Sequence, residues 1–165
     1  MEPPQSATEI GPQPLDRRFA EEPHIILKSV TFEQFRPGIK LITDVTWINI
    51  GGKTASEPTA KVMFSELATT LTDLDAKLAK SEGTLDLNTL PAASERVYRF
   101  NRGPMAEDLF DRIKNGTINL YFIALINYTD EAGKPYQGKF CVRFRPDEDR
   151  WRPCDSKESP TTKSN

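Results

Sequence analysis

The run from Thr117 to Thr129, Thr-Ile-Asn-Leu-Tyr-Phe-Ile-Ala-Leu-Ile-Asn-Tyr-Thr, constrains this chain more than any other. In an extended chain successive side chains point to opposite faces. Ile118, Leu120, Phe122, Ala124, Ile126 and Tyr128 then line one face, and Tyr121, Ile123 and Leu125 make the other apolar as well. Such a strand does not lie with one side in water. It belongs in the middle of a sheet, with something packed on each side.

The rest of the chain supplies partners for it. Alternating segments at His24–Phe35 and Ile39–Ile50 are separated by the turn signal Arg36-Pro37-Gly38. In the first, Ile26, Lys28, Val30 and Phe32 alternate against Ile25, Leu27, Ser29 and Thr31. In the second, Val45, Trp47 and Asn49 share one face, with Trp47 as a bulky inward anchor. The chain breaks at Gly51-Gly52 and resumes as a strand from about Pro58 to Leu67. Further strands follow at Leu85 and Leu87, at Glu95–Asn101, at Tyr136–Arg145 and at Arg150–Cys154.

Two segments change period. Leu67, Leu71, Leu74 and Leu78 fall at helical spacing, Thr70 with Asp73 resembles a capping box, and Gly83 is placed as a stop. A short helix crossing from one sheet to the other is the reading, with a loop over four leucines as the alternative. The second helix has Pro104 at its first position, Glu107 and Asp108 in its first turn, the stripe Met105, Leu109, Phe110 and Ile113, and Gly116 as its stop. Seven to eight strands with one or two short helices in the connections predict an all-β antiparallel sandwich, with a barrel as the alternative.

The 165 residues divide into a proline-rich tail at 1–23, a sandwich at 24–154 and a polar tail at 155–165. A domain of roughly 130 residues buries enough surface to fold without metal or cross-link. The formal net charge of −2 argues against a global electrostatic grip on nucleic acid. There is no apolar run of about 18 residues, so no membrane span is expected, and the first residues have neither the basic start nor the apolar core of a signal peptide. A chain complete as written would stay in the cytoplasm.

Ser29-Val-Thr-Phe-Glu-Gln-Phe-Arg-Pro-Gly38, Asn49-Ile-Gly51 with Ala55, Gly116 before a strand ending Asn127-Tyr-Thr-Asp130, and Phe140-Cys141 with Cys154 together resemble small bacterial immunoglobulin-like domains of unknown function. The likeness covers nearly all of residues 24–154. It implies an immunoglobulin-like β-sandwich displayed outside the cytoplasmic membrane, in the periplasm or at the cell surface, behind an N-terminal transmembrane anchor. The sequence as given departs from that pattern in containing no membrane helix. The signature residues are turn and core positions, so the resemblance transfers no catalytic residue.

Residues that tempt a chemical reading have plainer ones. His24 is the only histidine and sits at the mouth of the first strand, which excludes histidine-rich metal sites. Gly52-Lys53-Thr54 imitates a phosphate loop, but Trp47 stands where that motif needs its first glycine. We read it as a hairpin turn. The acidic turns Asp130-Glu131 and Asp147-Glu148-Asp149 lack the alternating oxygen ligands of a calcium loop. Asn115-Gly-Thr117 and Asn127-Tyr-Thr129 match a glycosylation sequon too short to count.

The last hairpin is more specific. If Asp147 and Glu148 form its tip, Arg145 faces Arg150, Phe144 faces Trp151, Arg143 faces Arg152 and Cys141 faces Cys154. Opposed strand residues stand close to disulfide distance, so Cys141 and Cys154 are a candidate bond, with free thiols as the alternative. The same register places Lys139, Arg143, Arg145, Arg150 and Arg152 on one face. Like charges opposite one another need compensation. An anionic partner would give it, and so would the turn's acids or the protection of an edge strand.

The expected function is a non-enzymatic binding or scaffolding module without cofactor or metal, its partner another protein or an anionic surface. The alternatives are a structural domain of a larger assembly, or an enzyme with a carboxylate site built from loops.

Overall fold

Asn119–Thr129 is the middle strand of a five-stranded antiparallel sheet that packs face to face on a three-stranded one. The computed structural model describes residues 19–81 and 84–155. In chain order the elements are β1 (Ile25–Gln34), β2 (Leu41–Asn49), β3 (Ser56–Leu67), α1 (Leu74–Ala79), β4 (Leu85–Asp86), β5 (Glu95–Arg102), α2 (Glu107–Lys114), β6 (Asn119–Thr129), β7 (Pro135–Arg145) and β8 (Arg150–Pro153). The sheets run β1-β2-β5 and β4-β3-β6-β7-β8. The protein is an all-β sandwich of eight strands among the described residues.

The double covering of β6 has two sources. Phe122, Ala124, Ile126 and Tyr128 face the other sheet, and Trp47 reaches across to Phe122 at 6.5 Å between ring centroids. On the outer side Tyr121 and Ile123 lie beneath Leu71, Leu74 and Leu78 of α1 and its lead-in. The Tyr121 hydroxyl accepts from the Leu71 backbone N–H at 3.1 Å, which fixes where the chain enters that helix. A third cluster closes one end of the sandwich, where Ile113 of α2 joins Leu41, Met105, Leu120 and Phe144.

Several expectations require correction. Gly51-Gly52 does not make a hairpin: β2 and β3 belong to different sheets, and the segment carries the chain from one layer to the other. Helix α1 does not cross the layers, because β3 and β4 on either side of it are neighbours in one sheet. Its N-cap is Asp73, whose carboxylate accepts from Ala76 N–H at 2.9 Å, so Thr70 has no part in a capping box. The expected stop at Gly83 lies outside the described residues. Helix α2 begins at Glu107, after an uncapped Ala106, which leaves Pro104 ahead of the helix.

β1 departs from strict alternation. Register shifts between Leu27 and Ser29, and between Phe32 and Gln34, mark bulges. An inserted residue moves the side chains that follow it to the opposite face. Ile25 and Leu27 therefore point into the core before Lys28, and Val30 and Phe32 after it.

The described chain is packed already at Phe19, ahead of the expected boundary at His24. The Gly52 N–H donates to the Phe19 carbonyl at 2.9 Å, and Ile50 N–H donates to the His24 carbonyl at 2.8 Å. Residues 1–18 of the tail expected at 1–23, and 156–165 of the one expected at 155–165, fall outside the described residues. No helix among the described residues is long and apolar enough to cross a membrane.

Candidate functional site

The final hairpin is held by a four-residue turn, Pro146–Asp149, in which Glu148 N–H donates to the Arg145 carbonyl at 3.1 Å and Asp149 takes φ +54°. Its register pairs Arg145 with Arg150, Phe144 with Trp151, Arg143 with Arg152 and Val142 with Pro153. Phe144 and Trp151 turn inward against each other and against Phe32. Beyond the paired residues, Cys154 N–H donates to the Cys141 carbonyl at 3.1 Å.

The Cys141 and Cys154 sulfurs are bonded, with Cα atoms 5.5 Å apart. Both residues are buried among Tyr121, Ile123 and the α1 leucines. The bond thus ties the chain just past β8 to the strand beside it, at the point where that strand passes under the helix.

The basic side chains share the outer face of β7 and β8 but not one environment. Lys139 lies toward the helix and pairs with Asp75 at 2.7 Å. Glu148 reaches back over the turn to Arg152 at 2.7 Å and Arg150 at 3.3 Å. The Arg152 hydrogen bond, then the one from Arg150, holds the Glu148 carboxyl below its ordinary pKa. Asp149 faces away, toward Lys114 of α2 at 3.7 Å. Arg143 stands between Tyr121 and Arg152 in the sheet. Arg145, opposite Arg150 at the open end, has no carboxylate partner among the described residues. The structure therefore brings Arg143, Arg145, Arg150 and Arg152 onto one face, with Glu148 bridging Arg150 and Arg152, and detaches Lys139 from it.

The other candidates are absorbed by the fold. The His24 ring stacks on Phe19 with centroids 3.8 Å apart. The Asp130 carboxylate accepts from Lys134 N–H and Ala132 N–H, each at 2.9 Å, and these bonds, the Lys134 one first, lower its pKa. It shapes the β6–β7 turn. Burial raises the pKa of the Tyr128 phenol, whose oxygen accepts from Ile25 N–H at 3.1 Å across the sandwich. Asn115 closes α2, and its side-chain oxygen accepts from Thr117 N–H at 2.9 Å. Among the described residues no three His, Cys, Asp or Glu side chains are grouped to hold a metal. An open depression beside the α2 N-terminus is lined by Pro37, Gly38, Pro104, Met105, Ala106 and Glu107, with one titratable side chain.

Asn49, read from sequence only as a strand-face position and part of a turn signature, makes four side-chain hydrogen bonds in the structure. It is fully buried. Its Oδ1 accepts from His24 N–H and Gly51 N–H, each at 2.9 Å. Its Nδ2 donates to the Lys53 carbonyl at 2.8 Å and the Leu90 carbonyl at 3.0 Å. One amide thus fastens the entry to β1, the inter-sheet crossing and the loop before β5. The available signal was an amide on the same face as Val45 and Trp47, directly ahead of a glycine pair.

No family model matches the chain, and no curated protein matches it.

Proposed function

We propose that the protein is a non-enzymatic binding module of immunoglobulin-like topology, displayed outside the cytoplasmic membrane, and that it contacts an anionic surface through the β7–β8 hairpin. The observation that carries the reading is the arginine patch. Two arginine pairs stand directly opposite one another on an outer face, an arrangement that weakens a sheet unless negative charge offsets it. Glu148 offsets Arg150 and Arg152, and Arg145, with no carboxylate partner among the described residues, is left for a partner.

Topology supports the fold assignment. The order β1-β2-β5 against β4-β3-β6-β7 corresponds to immunoglobulin strands A-B-E against C′-C-F-G, with β8 added beyond G. The cross-link supports that compartment, because disulfides persist in oxidising environments such as the periplasm and cell surface.

The test is retention by anionic phospholipid vesicles and by an acidic polypeptide, at low and at moderate salt. The expected result is binding that falls as salt rises and is lost in the double variant Arg145→Glu, Arg150→Glu. Absence of binding to both probes at low salt, or binding that the double variant retains, overturns the proposal.

A further inference from the structure

We infer that two copies of this protein pair antiparallel along the free edge of β5, centred on Val97, to make one continuous six-stranded sheet. The sandwich has four sheet edges. β4 has two residues and β8 four, and β1 is bulged twice. Short or bulged edges resist pairing with other chains. β5 is eight residues long and pairs with β2 without a register shift. Among the described edges it alone is fit to extend a sheet.

The backbone phase is readable. At the start of β5, Asn49 N–H donates to the Ser94 carbonyl at 3.0 Å, and on the other side Ile50 N–H donates to the His24 carbonyl. Bonding in an antiparallel ladder alternates by residue. Odd-numbered residues of β2 thus bond to β5, and even-numbered ones to β1. On β5 the groups bonded to β2 belong to Arg96, Tyr98, Phe100 and Arg102. The N–H and C=O groups of Glu95, Val97, Arg99 and Asn101 point outward.

The side chains select the partner and the register. Val97 is 58% exposed, the most exposed large hydrophobic residue described. With the two-fold axis at Val97, Val97 meets Val97 of the second copy, and Glu95 meets Arg99 of the second copy twice over. On the inward face Arg96 meets Tyr98 of the second copy, a pairing of cation and aromatic ring. An axis at Arg99 or at Arg96 sets arginine against arginine. An axis at Tyr98 sets Glu95 against Asn101 and Val97 against Arg99, and forms no ion pair. Only the Val97 axis is charge-complementary, and a strand that complements itself is what an isologous dimer requires.

The charged groups are already held on the sheet surface. Within each copy Lys28 pairs with Glu95, and Arg99 binds Asp44 through Nε and Nη2 at 2.7 and 2.8 Å. Across the seam these join into rows of alternating sign running Lys28, Glu95, Arg99, Asp44. This inference does not depend on the hairpin's proposed role, since β5 and β8 lie in different sheets.

Sedimentation equilibrium over a wide concentration series tests it. The expected mass rises from the 18.6 kDa monomer towards twice that value. Val97→Pro removes one outward N–H that β5 does not use in its own sheet, a position where proline is tolerated. That variant is expected to stay monomeric with unchanged circular dichroism. Val97→Cys, which keeps the strand's own bonding, is expected to cross-link between position 97 of both copies on mild oxidation, whereas Glu95→Cys does not. Wild-type protein that stays monomeric throughout, a dimer undiminished in folded Val97→Pro, or equal cross-linking at 95 and 97 overturns the inference.

Discussion

Replacing Asn49 by alanine tests the reading that one buried amide closes this end of the sandwich. The substitution removes four hydrogen bonds, but their losses are unequal. The Leu90 carbonyl keeps a second donor, Ala55 N–H at 3.0 Å, and the Lys53 carbonyl sits where Asn49 meets it only partly buried. Gly51 N–H meets Asn49 Oδ1 in a buried position, and His24 N–H meets the same oxygen in a partly buried one. A buried donor left without an acceptor costs about 1–3 kcal/mol. The Gly51 donor, with a smaller share from the partly buried His24 donor, gives about 2–4 kcal/mol. At about 3–5 °C per kcal/mol for a domain of this size, the melting midpoint should fall by about 6–20 °C. Asn49→Asp separates hydrogen bonding from shape. It keeps both acceptor bonds but turns a carboxylate oxygen towards the Lys53 and Leu90 carbonyls, which disfavours its charge and raises its pKa. A carboxyl whose folded pKa lies above its unfolded value destabilises progressively as pH rises from about 4 through the folded value. The Asn49→Asp deficit should therefore be smaller near pH 4 than at pH 7, while that of Asn49→Ala stays flat. Thermal denaturation followed by circular dichroism at both pH values measures this. An Asn49→Ala midpoint within about 3 °C of wild type would refute the argument, since it would mean water satisfies both donors without cost.

Reduction of Cys141–Cys154 opens a loop spanning 13 positions, worth about 3 kcal/mol on the chain-entropy model. The midpoint should drop by about 10 °C under reductant. Alkylation of native protein should give no labelled cysteine until reductant is added, so labelling beforehand would contradict the bond. Asp44 provides a pH signature of its own: the Arg99 hydrogen bond holds its pKa below the ordinary carboxylate value. With a depressed folded pKa, its contribution is present above about pH 4 and disappears as pH falls through the folded value. Arg99 is half exposed, so Asp44→Asn should cost at most about 1 kcal/mol at neutral pH and low salt, and progressively less as pH falls through the folded value. Urea titrations of both proteins from neutral to acid pH check it, and a gap that does not narrow as pH falls would exclude the ion pair as its source.

Where a residue's burial follows from its own chemistry, the fold was legible. The doubly apolar β6, the inward Trp47 and the facing Phe144 and Trp151 all lie where period and size put them. The last hairpin's register was legible because its loop is short, which leaves few ways to close it. The bulge at Lys28 was not, because an inserted residue leaves the composition of a strand unchanged and reveals itself only in the partner strand. The arginine patch was readable as residues sharing a face. That Lys139 belongs to Asp75 rather than to the arginines depends on the placement of α1, a tertiary fact with no local signal.

Gly51-Gly52 shows why one signal supports two opposite topologies. A two-residue hairpin uses glycine for positive φ. Glycine also serves where a second backbone must come close. Neither Gly51 nor Gly52 has positive φ here. A Cβ on Gly51 would run into the Glu22 carbonyl and His24 N, and one on Gly52 into the Ala20 carbonyl. The pair is there for proximity, so the chain leaves its sheet at the point where the entering segment lies against it. Asn49, just before the glycines, holds that entering segment through His24 N–H and the departing one through the Lys53 carbonyl. A buried amide beside two glycines at a strand end therefore argues for a crossing between sheets, because a hairpin satisfies its own backbone and leaves such an amide with nothing to bind.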